Sequence, residues 1–409
     1  MGRVIRFFGA LVALVVLLIA GLAAFYLSIR QPVPDLASPR WTEARSTDRA
    51  SPDVLHKARA RLVELRKEGG YPSVSVAVAV GGQVVWLGAL GFADLERKTE
   101  ATIDTPYAIG SVSKSLTAAV AMRLVDQGRL DLDKDVRVYV PAFPQKAYPI
   151  TARQLLSHQA GIRHYRFEFS PPTFSDFGSN TQFASVGDSL KVFADDPLSF
   201  EPDTSFQYST YGYTLLSAVI EGAAGRPFLE VMQAELFEPL AMTLSGSDDK
   251  RRPVAGRAGD YQNLARDEHV IAAPETNSSN KWAGGGFRST PQDLVRFGTA
   301  LLDGQVVPAE ARELMFTPRK LKNGKVNAQD YALGFRVDTI TDPAYPGKSW
   351  RAVHHGGVAV GSQAMLVLLP KERVVVALTA NATTQPPGRG MFDAATDLAL
   401  MFAEAVDVP

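Results

Sequence analysis

The chain has 409 residues, of which 46% are hydrophobic and 21% are charged. This ordinary globular composition excludes a disordered or collagen-like chain, and the length suits one large domain or two to three smaller ones. Lysine plus arginine and aspartate plus glutamate both number 43, so the basic excess typical of nucleic-acid binders is missing and we expect no such partner. The chain has no cysteine, which excludes disulfides, a thiol nucleophile and cysteine-ligated metals.

An uncharged apolar run, residues 7–27, follows Arg3 and Arg6. A helix of this length spans about 30 Å, the thickness of a bilayer core. By the positive-inside rule the N-terminus is cytoplasmic and the rest of the chain lies outside, in a bacterial periplasm or at the cell surface. A cleaved signal peptide is the alternative, but its apolar region is normally shorter. A mitochondrial signal anchor would look similar.

We therefore predict a membrane anchor in residues 1–30, a Pro-rich tether in residues 31–52 and one folded domain in residues 53–409. Ser51 and Pro52 are typical of a helix start.

The folded domain begins with that helix, and two β-rich runs around Gly81-Gly82 then predict a hairpin. Residues 111–280 carry mostly helical periodicity, and the last hundred residues return to strands before an amphipathic helix. This order of helices and strands predicts an α+β fold of two lobes. The sheet is built from both ends of the chain, and a cleft lies between the lobes.

The first candidate for chemistry is Ser111-Val112-Ser113-Lys114, which opens an apolar helix. Residues three apart share a helix face, so Lys114 can reach the Ser111 hydroxyl. A serine nucleophile needs an adjacent base, and a lysine desolvated in a cleft has a lowered pKa that suits this task. The alternative is an ordinary helix-capping serine. A second Ser-x-x-Lys, Ser278 to Lys281, has a loop-like setting.

Tyr208 is the second candidate, in FQYSTYGYTLL. A tyrosine beside a lysine ammonium can act as a base or relay protons to a leaving group. Taken alone, Tyr208 is more simply an aromatic packing residue. Tyr261-Gln262-Asn263 carries a similar pattern elsewhere in the chain.

The third candidate is His354-His355-Gly356-Gly357, ahead of an apolar strand-like stretch. Glycines would let a substrate lie against a strand edge with a backbone N–H free to donate. The histidine pair could instead suggest a metal, but adjacent strand residues point to opposite faces and no other histidine lies at ligand spacing. We therefore predict no metal. Lys322-Asn323-Gly324 fits a tight turn better than a site.

From about residue 53 to 405 the chain resembles the class C beta-lactamase-like serine hydrolases, which include penicillin-binding proteins, esterases and D-aminopeptidases. The resemblance rests on the order of the three motifs and on GSVSKSLTA, LLSHQAGI, FQYSTYGYTLL, WAGGGFRST and HHGGVAVGS. It implies a beta-lactamase/transpeptidase-like fold, an antiparallel sheet lobe flanked by helices beside a mostly helical lobe. Similarity to the mitochondrial members of the family also implies self-assembly.

The same resemblance implies roles for single residues, with no cofactor. Ser111 would be the nucleophile that forms the acyl-enzyme and Lys114 its activating partner. Tyr208 would be the general base and later the proton donor. His354 would stand where true beta-lactamases have a cationic lysine. Backbone N–H groups of Ser111 and Gly357 would form the oxyanion hole, and Gly356 would lie beside it.

Two departures argue against an efficient beta-lactamase. Thr210 stands where the family usually has asparagine, so it has no amide to donate to a substrate carbonyl. His354 replaces lysine, and a neutral imidazole binds a carboxylate less strongly than an ammonium.

We therefore expect a membrane-anchored serine hydrolase acting on amide or ester bonds of a peptide or small molecule, with a peptidase favoured over a carboxylesterase or a weak beta-lactamase. The alternative is a non-catalytic envelope binding or assembly module that uses the same cleft. The loop from Arg163 to Ser185 would shape the pocket, with Phe167, Phe169 and Phe174 lining or packing it.

Overall fold

The computed structural model describes residues 2–36, 40–166, 176–252, 254–384 and 390–405. The α-helices are α1 (Gly2–Ser28), α2 (Pro52–Gly69), α3 (Ser113–Asp126), α4 (Ala152–Leu156), α5 (Val186–Leu190), α6 (Thr210–Ala224), α7 (Phe228–Met232), α8 (Trp282–Gly285), α9 (Pro291–Leu302), α10 (Ala309–Phe316) and α11 (Gly390–Ala405). The strands are β1 (Gln31–Pro32), β2 (Trp41–Ser46), β3 (Ser73–Val80), β4 (Gln83–Asp94), β5 (Thr99–Glu100), β6 (Tyr107–Ala108), β7 (Gly246–Ser247), β8 (Tyr261–Asn263), β9 (His269–Ala272), β10 (Phe287–Ser289), β11 (Arg336–Ile340), β12 (Trp350–Ala359), β13 (Ser362–Leu369), β14 (Val374–Ala380) and β15 (Ala382–Thr384).

The main sheet has eight strands, in the order β11-β12-β13-β14-β3-β4-β2, with β5 beside β4. All of its pairs are antiparallel. The central β3–β4 pair is a hairpin whose turn places Gly81 and Gly82 at φ 58° and 85°. Two consecutive positive φ values are what a tight hairpin turn requires, and they favour glycine. Because β3 and β4 come from the start of the domain and β11–β14 from its end, the sheet joins both ends of the chain, as predicted.

The two faces of this sheet are covered differently. On one face α2 and α11 pack over the inward-facing residues of β3 and β13–β14. On the other face α9 covers β3 and β14, and the sheet merges with the core of the helical lobe, built around α3 and α6. Alternation along a strand sends neighbours to different cores: Ala352 of β12 belongs to the first and Val353 to the second.

The helix start predicted at Ser51 is confirmed, since the Ser51 hydroxyl accepts a hydrogen bond from Val54 N at 3.4 Å. The tether expected for residues 31–52 is not what the structure shows. Gln31–Pro32 pair with β9, and Trp41–Ser46 form an edge strand of the main sheet. Backbone N–H and C=O groups at a sheet edge recruit such a segment whatever its polarity, which composition does not reveal.

The N-terminal helix α1 contains a stretch, Ala10–Ser28, with a mean hydropathy of 2.8 and no residue buried inside the described structure. By length and composition it could cross a membrane, which agrees with the anchor expected for residues 7–27.

Candidate active site

Ser111 lies in a single 3-10 turn, Gly110–Val112, that leads directly into α3. The next serine holds this turn in place. The buried Ser113 hydroxyl donates to Gly110 O at 2.7 Å and accepts from Phe287 N at 3.2 Å, which ties the turn to β10. Ser111 itself is half-buried and lines a cavity at the junction of the two lobes.

Lys114 lies one turn further along and is fully buried. Its Nζ is 3.3 Å from Ser111 Oγ and 3.2 Å from Thr210 Oγ1, and it also contacts Gly284 O of α8. The helical spacing anticipated this contact, whereas the partners from α6 and α8 come from distant sequence. Lys114 is therefore held at three points with its amine next to the serine hydroxyl.

Tyr208 precedes α6, and two histidines fix the backbone that follows it. Ser209 N donates to His158 Nδ1 at 3.1 Å, and Thr210 N donates to His164 Nδ1 at 3.2 Å. The ring centroid of His158 lies 4.3 Å from that of Tyr208. These contacts place the Tyr208 ring 4.8 Å from the Lys114 Nζ, measured to the ring centroid.

The site lowers the pKa of its amine and raises that of its phenol. Burial lowers the pKa of Lys114 well below its usual value, and the nearby cations Arg336 and Lys281 add to the effect. Burial raises the pKa of Tyr208 to about 12, although the Ser111 hydroxyl and the charge of Arg336 act in the opposite direction. The shift at Lys114 favours the neutral amine, and the shift at Tyr208 keeps its phenol protonated near neutral pH.

His354, expected in the site, is not brought to the other three side chains. Its ring lies on the face of β12 that meets α11, where Nε2 is 3.0 Å from Asp338 Oδ2 and the ring is 4.5 Å from that of Phe392. His355 faces the site instead. Its Nε2 is 2.9 Å from the hydroxyl of Tyr331, and its ring centroid is 6.3 Å from that of Tyr208. The alternation of side chains along a strand separates the two neighbours.

Gly357 lies on the same face of β12 as His355 and approaches the serine backbone closely. A Cβ added to it would lie 1.9 Å from Ile109 O and 3.0 Å from Ser111 N, so only glycine fits here. Gly356 points to the other face, where an added Cβ would meet Met365. Of the two glycines, Gly357 is therefore the one beside Ser111.

The cavity has a volume of about 200 Å³. Thr210, Tyr208 and Ser111 line it together with residues that the motif analysis did not assign to the site: His164, Tyr165, Phe177, Lys250 and Arg257. Phe167, Phe169 and Phe174 lie outside the described residues.

The competing patterns fall in three different places. Ser278 and Lys281 line the same cavity, and Lys281 Nζ donates to Phe177 O at 2.6 Å. Tyr261 lies outside it, where its hydroxyl accepts from Leu95 N at 2.9 Å. Residues 322–324 form a turn, as predicted.

Four neighbours of Tyr208 were not predicted from the sequence motifs: His158, His164, Tyr331 and Arg336. His158 lies in LLSHQAGI, a stretch noted only for its overall likeness, and His164 follows two residues after its end. Arg336 Cζ lies 6.0 Å from the centroid of the Tyr208 ring. A single residue in a loop or at a strand start carries no spacing signal, so the sequence offered little to find these.

The Beta-lactamase family model matches residues 58–400 of the chain. The chain belongs to the beta-lactamase family. Members of this family of serine hydrolases include esterases, amidases and penicillin-binding proteins. Among its relatives, the mitochondrial serine beta-lactamase-like protein LACTB of Mus musculus is 30% identical over 81% of this chain and 75% of its own length. Penicillin-binding protein 4* of Bacillus subtilis is 25% identical over 82% and 73%.

Solved structures share the fold of this chain. The D-amino acid amidase from Ochrobactrum anthropi SV3 with bound D-phenylalanine has a TM-score of 0.69 at 22% identity, covering 86% of this chain and 98% of that one. The octameric penicillin-binding protein homologue from Pyrococcus abyssi has a TM-score of 0.67 at 24% identity, covering 86% and 76%. The predicted fold class and family are thus confirmed.

Proposed function

We propose that Ser111 is the nucleophile of an acyl-enzyme mechanism and that Lys114 is its base. The observation that carries this proposal is the 3.3 Å contact between Lys114 Nζ and Ser111 Oγ, made by a fully buried amine. A neutral amine has two protons and one lone pair. Thr210 Oγ1 and Gly284 O can accept the two protons, which leaves the lone pair facing the serine hydroxyl.

In acylation the Ser111 proton moves to Lys114 as Oγ bonds to the scissile carbonyl carbon. The backbone N–H groups of Ser111 and Gly357 would bind the carbonyl oxygen as it gains charge. Tyr208 gives its proton to the leaving group and regains one from the Lys114 ammonium. One proton thus passes from nucleophile to leaving group, and water reverses the sequence to release the acid.

The raised pKa of Tyr208 supports this division of roles over the one that the resemblance implies. A phenol that stays protonated at neutral pH is a proton donor rather than a base. An amine leaving group needs such a proton, whereas a phenolate leaves without one. We therefore propose an amide, most simply a peptide bond, ahead of an aryl ester. A beta-lactam is itself an amide, and it ranks lower because Thr210 has no side-chain amide to offer a substrate.

The test is intact-mass spectrometry of the full chain in detergent after treatment with a fluorophosphonate. The wild type should gain one adduct and Ser111→Ala none. Ser199→Ala, which changes an exposed serine, is the matched control and should react like the wild type. Turnover of peptide amides, esters and a chromogenic cephalosporin then ranks the substrate classes. Turnover that survives in Ser111→Ala would refute the assignment.

We further propose that residues 7–27 anchor the domain to a membrane with residues 31–409 on the non-cytoplasmic side. The uncharged helix after Arg3 and Arg6 supports this. Carbonate-resistant membrane association, with protease access from the outer side alone, is the expected result. Release of the chain by carbonate would contradict it.

Self-assembly stays a prediction. The homologue from Pyrococcus abyssi is octameric and shares the fold, which is the reason to test this chain for self-assembly. Light scattering of the detergent-solubilised chain over a range of concentrations gives the answer, and a constant monomer mass would contradict the prediction.

A further inference from the structure

His164 presents a hydrogen-bond donor to the catalytic cavity. Its Nδ1 accepts the N–H of Thr210 at 3.2 Å, so the proton of the neutral ring is on Nε2. The ring is half-buried and lines the cavity with Ser111. Among the described residues, Nε2 has no hydrogen-bond acceptor, so this N–H is available to a molecule that enters the cavity.

The backbone that carries His164 is held firmly. Arg163 donates to Asp196 and Asp176, and it also donates to the carbonyl of His164 at 3.0 Å. The Ser209 hydroxyl in turn donates to Arg163 O at 2.6 Å. A donor fixed in this way costs little entropy when it binds a ligand.

The ring is suited to a neutral acceptor. Burial lowers its pKa to about 4, with the cations Lys114 and Arg163 adding to the effect, so the imidazole carries no charge near neutral pH. A carboxylate would find a stronger partner in a nearby guanidinium or ammonium. An amide carbonyl matches a neutral N–H.

Another side chain must donate to the substrate here because Thr210 cannot. Its hydroxyl accepts from Lys114 Nζ at 3.2 Å and hydrogen-bonds Tyr165, so it is already occupied on the side of the nucleophile. It also has no amide group to offer a substrate. His164, whose ring is held by the backbone N–H of the same residue, lines the cavity and offers its Nε2–H there.

An extended substrate lying beside β12 would present a carbonyl group to the Nε2–H of His164. Residues 355–359 of β12 extend beyond the part paired with β11, which ends at the Arg336–His354 pair. A peptide chain beside this edge would turn its scissile carbonyl toward Gly357 and Ser111. Successive carbonyls of an extended chain point in opposite directions, so the preceding one faces the other wall of the cleft.

We propose that the Nε2–H of His164 binds the amide carbonyl one residue before the scissile bond, which makes N-acylaminoacyl compounds and peptides the preferred substrates. This inference rests on the proposed function, because it needs acylation of Ser111. It assigns His164 as a substrate-binding residue that selects an acylamino group over a plain acyl chain.

The test compares two p-nitrophenyl esters of nearly equal length, N-acetylglycinate and pentanoate, hydrolysed by the full chain. The quantity measured is the ratio of their kcat/KM values, which cancels any general loss of activity. His164→Phe keeps an aromatic ring but removes the donor, and the ratio should fall about five- to tenfold, as for one lost hydrogen bond. His164→Gln, whose side-chain amide returns an N–H, should recover most of the ratio.

His269→Ala, which changes a histidine of β9 outside the cavity, should leave the ratio unchanged. An unchanged ratio in His164→Phe, with both esters still hydrolysed, would overturn the inference and leave the proposed function intact. Hydrolysis of neither ester by the wild type, together with no fluorophosphonate adduct on Ser111, would overturn both.

Discussion

His354 and His355 are adjacent on β12, yet their rings bond to groups on opposite faces of the sheet. His354 Nε2 meets Asp338, and His355 Nε2 meets the hydroxyl of Tyr331 at 2.9 Å. Tyr331 in turn packs with its ring centroid 4.5 Å from that of His158, which supports Tyr208. His355 is therefore a positioning residue that acts on Tyr208 through its neighbours.

This arrangement predicts different effects for the two histidines. His355→Phe should lower kcat/KM roughly tenfold or more, because Tyr208, the proposed proton donor, shifts from its place. His354→Phe should leave kcat/KM within about threefold, since its neighbours are Asp338 and Phe392. Ester hydrolysis, with thermal melts of both variants, measures this. Equal losses of activity at equal stability would contradict it.

Gly357 offers a second prediction. Alanine there would place its Cβ 1.9 Å from Ile109 O, so either β12 or the turn carrying Ser111 must move. Misplacing one donor of an oxyanion hole costs about 100-fold in kcat, and we expect Gly357→Ala to lose that much or more. Gly187→Ala is the matched control, because its added Cβ makes only an ordinary contact of 3.7 Å. Single-turnover acylation should show the loss, and unaltered acylation would exclude this role for Gly357.

Burial is the main cause of the pKa shifts in the site, and the charge of Arg336 adds to the one at Lys114. This charge lowers the pKa of Lys114, and that of Tyr208 as well. Arg336→Met removes this charge, so the protonated amine becomes more stable and the pKa of Lys114 rises. In the proposed mechanism the neutral amine is the active form, so the acidic limb of the kcat/KM profile should move to higher pH.

The control for this change is Arg373→Met, which breaks an ion pair with Asp303 away from the cavity. Its pH profile should match that of the wild type. A shift of the acidic limb to lower pH in Arg336→Met would mean that Lys114 is not the base.

The sequence predicted those parts of the site that follow local rules. Ser111 and Lys114 are three apart at a helix start, and Tyr208 stands just before another helix start, so both motifs could be recognised from neighbouring residues. The hairpin at Gly81-Gly82 was predictable for the same reason.

Features that depend on distant partners could not be predicted in this way. Whether His354 or His355 faces the cleft depends on the register of β12, and a shift of one residue exchanges the faces. His164 joins the site only because Thr210 binds its ring. The strand at Trp41–Ser46 similarly exists because β4 offers it an edge.

The last prediction concerns Lys114 and links activity to stability. In the unfolded chain its amine holds a proton up to about pH 10.5, while in the folded chain burial releases that proton at lower pH. Between these two pKa values the unfolded state binds more protons, so the free energy of unfolding rises with pH. The desolvation penalty of Lys114 therefore fades toward high pH.

Lys114→Met removes both the desolvation penalty and the proposed base. Its acylation rate should fall about 10²- to 10⁴-fold. Its free energy of unfolding, measured by urea denaturation, should gain less than that of the wild type as the pH rises toward about 10. Lys322→Met, at an exposed lysine paired with Glu201, should keep the activity of the wild type. Parallel stability curves for Lys114→Met and the wild type would mean that the buried amine keeps its proton. Lys114 would then activate Ser111 as a cation, and Tyr208 would have to accept the proton.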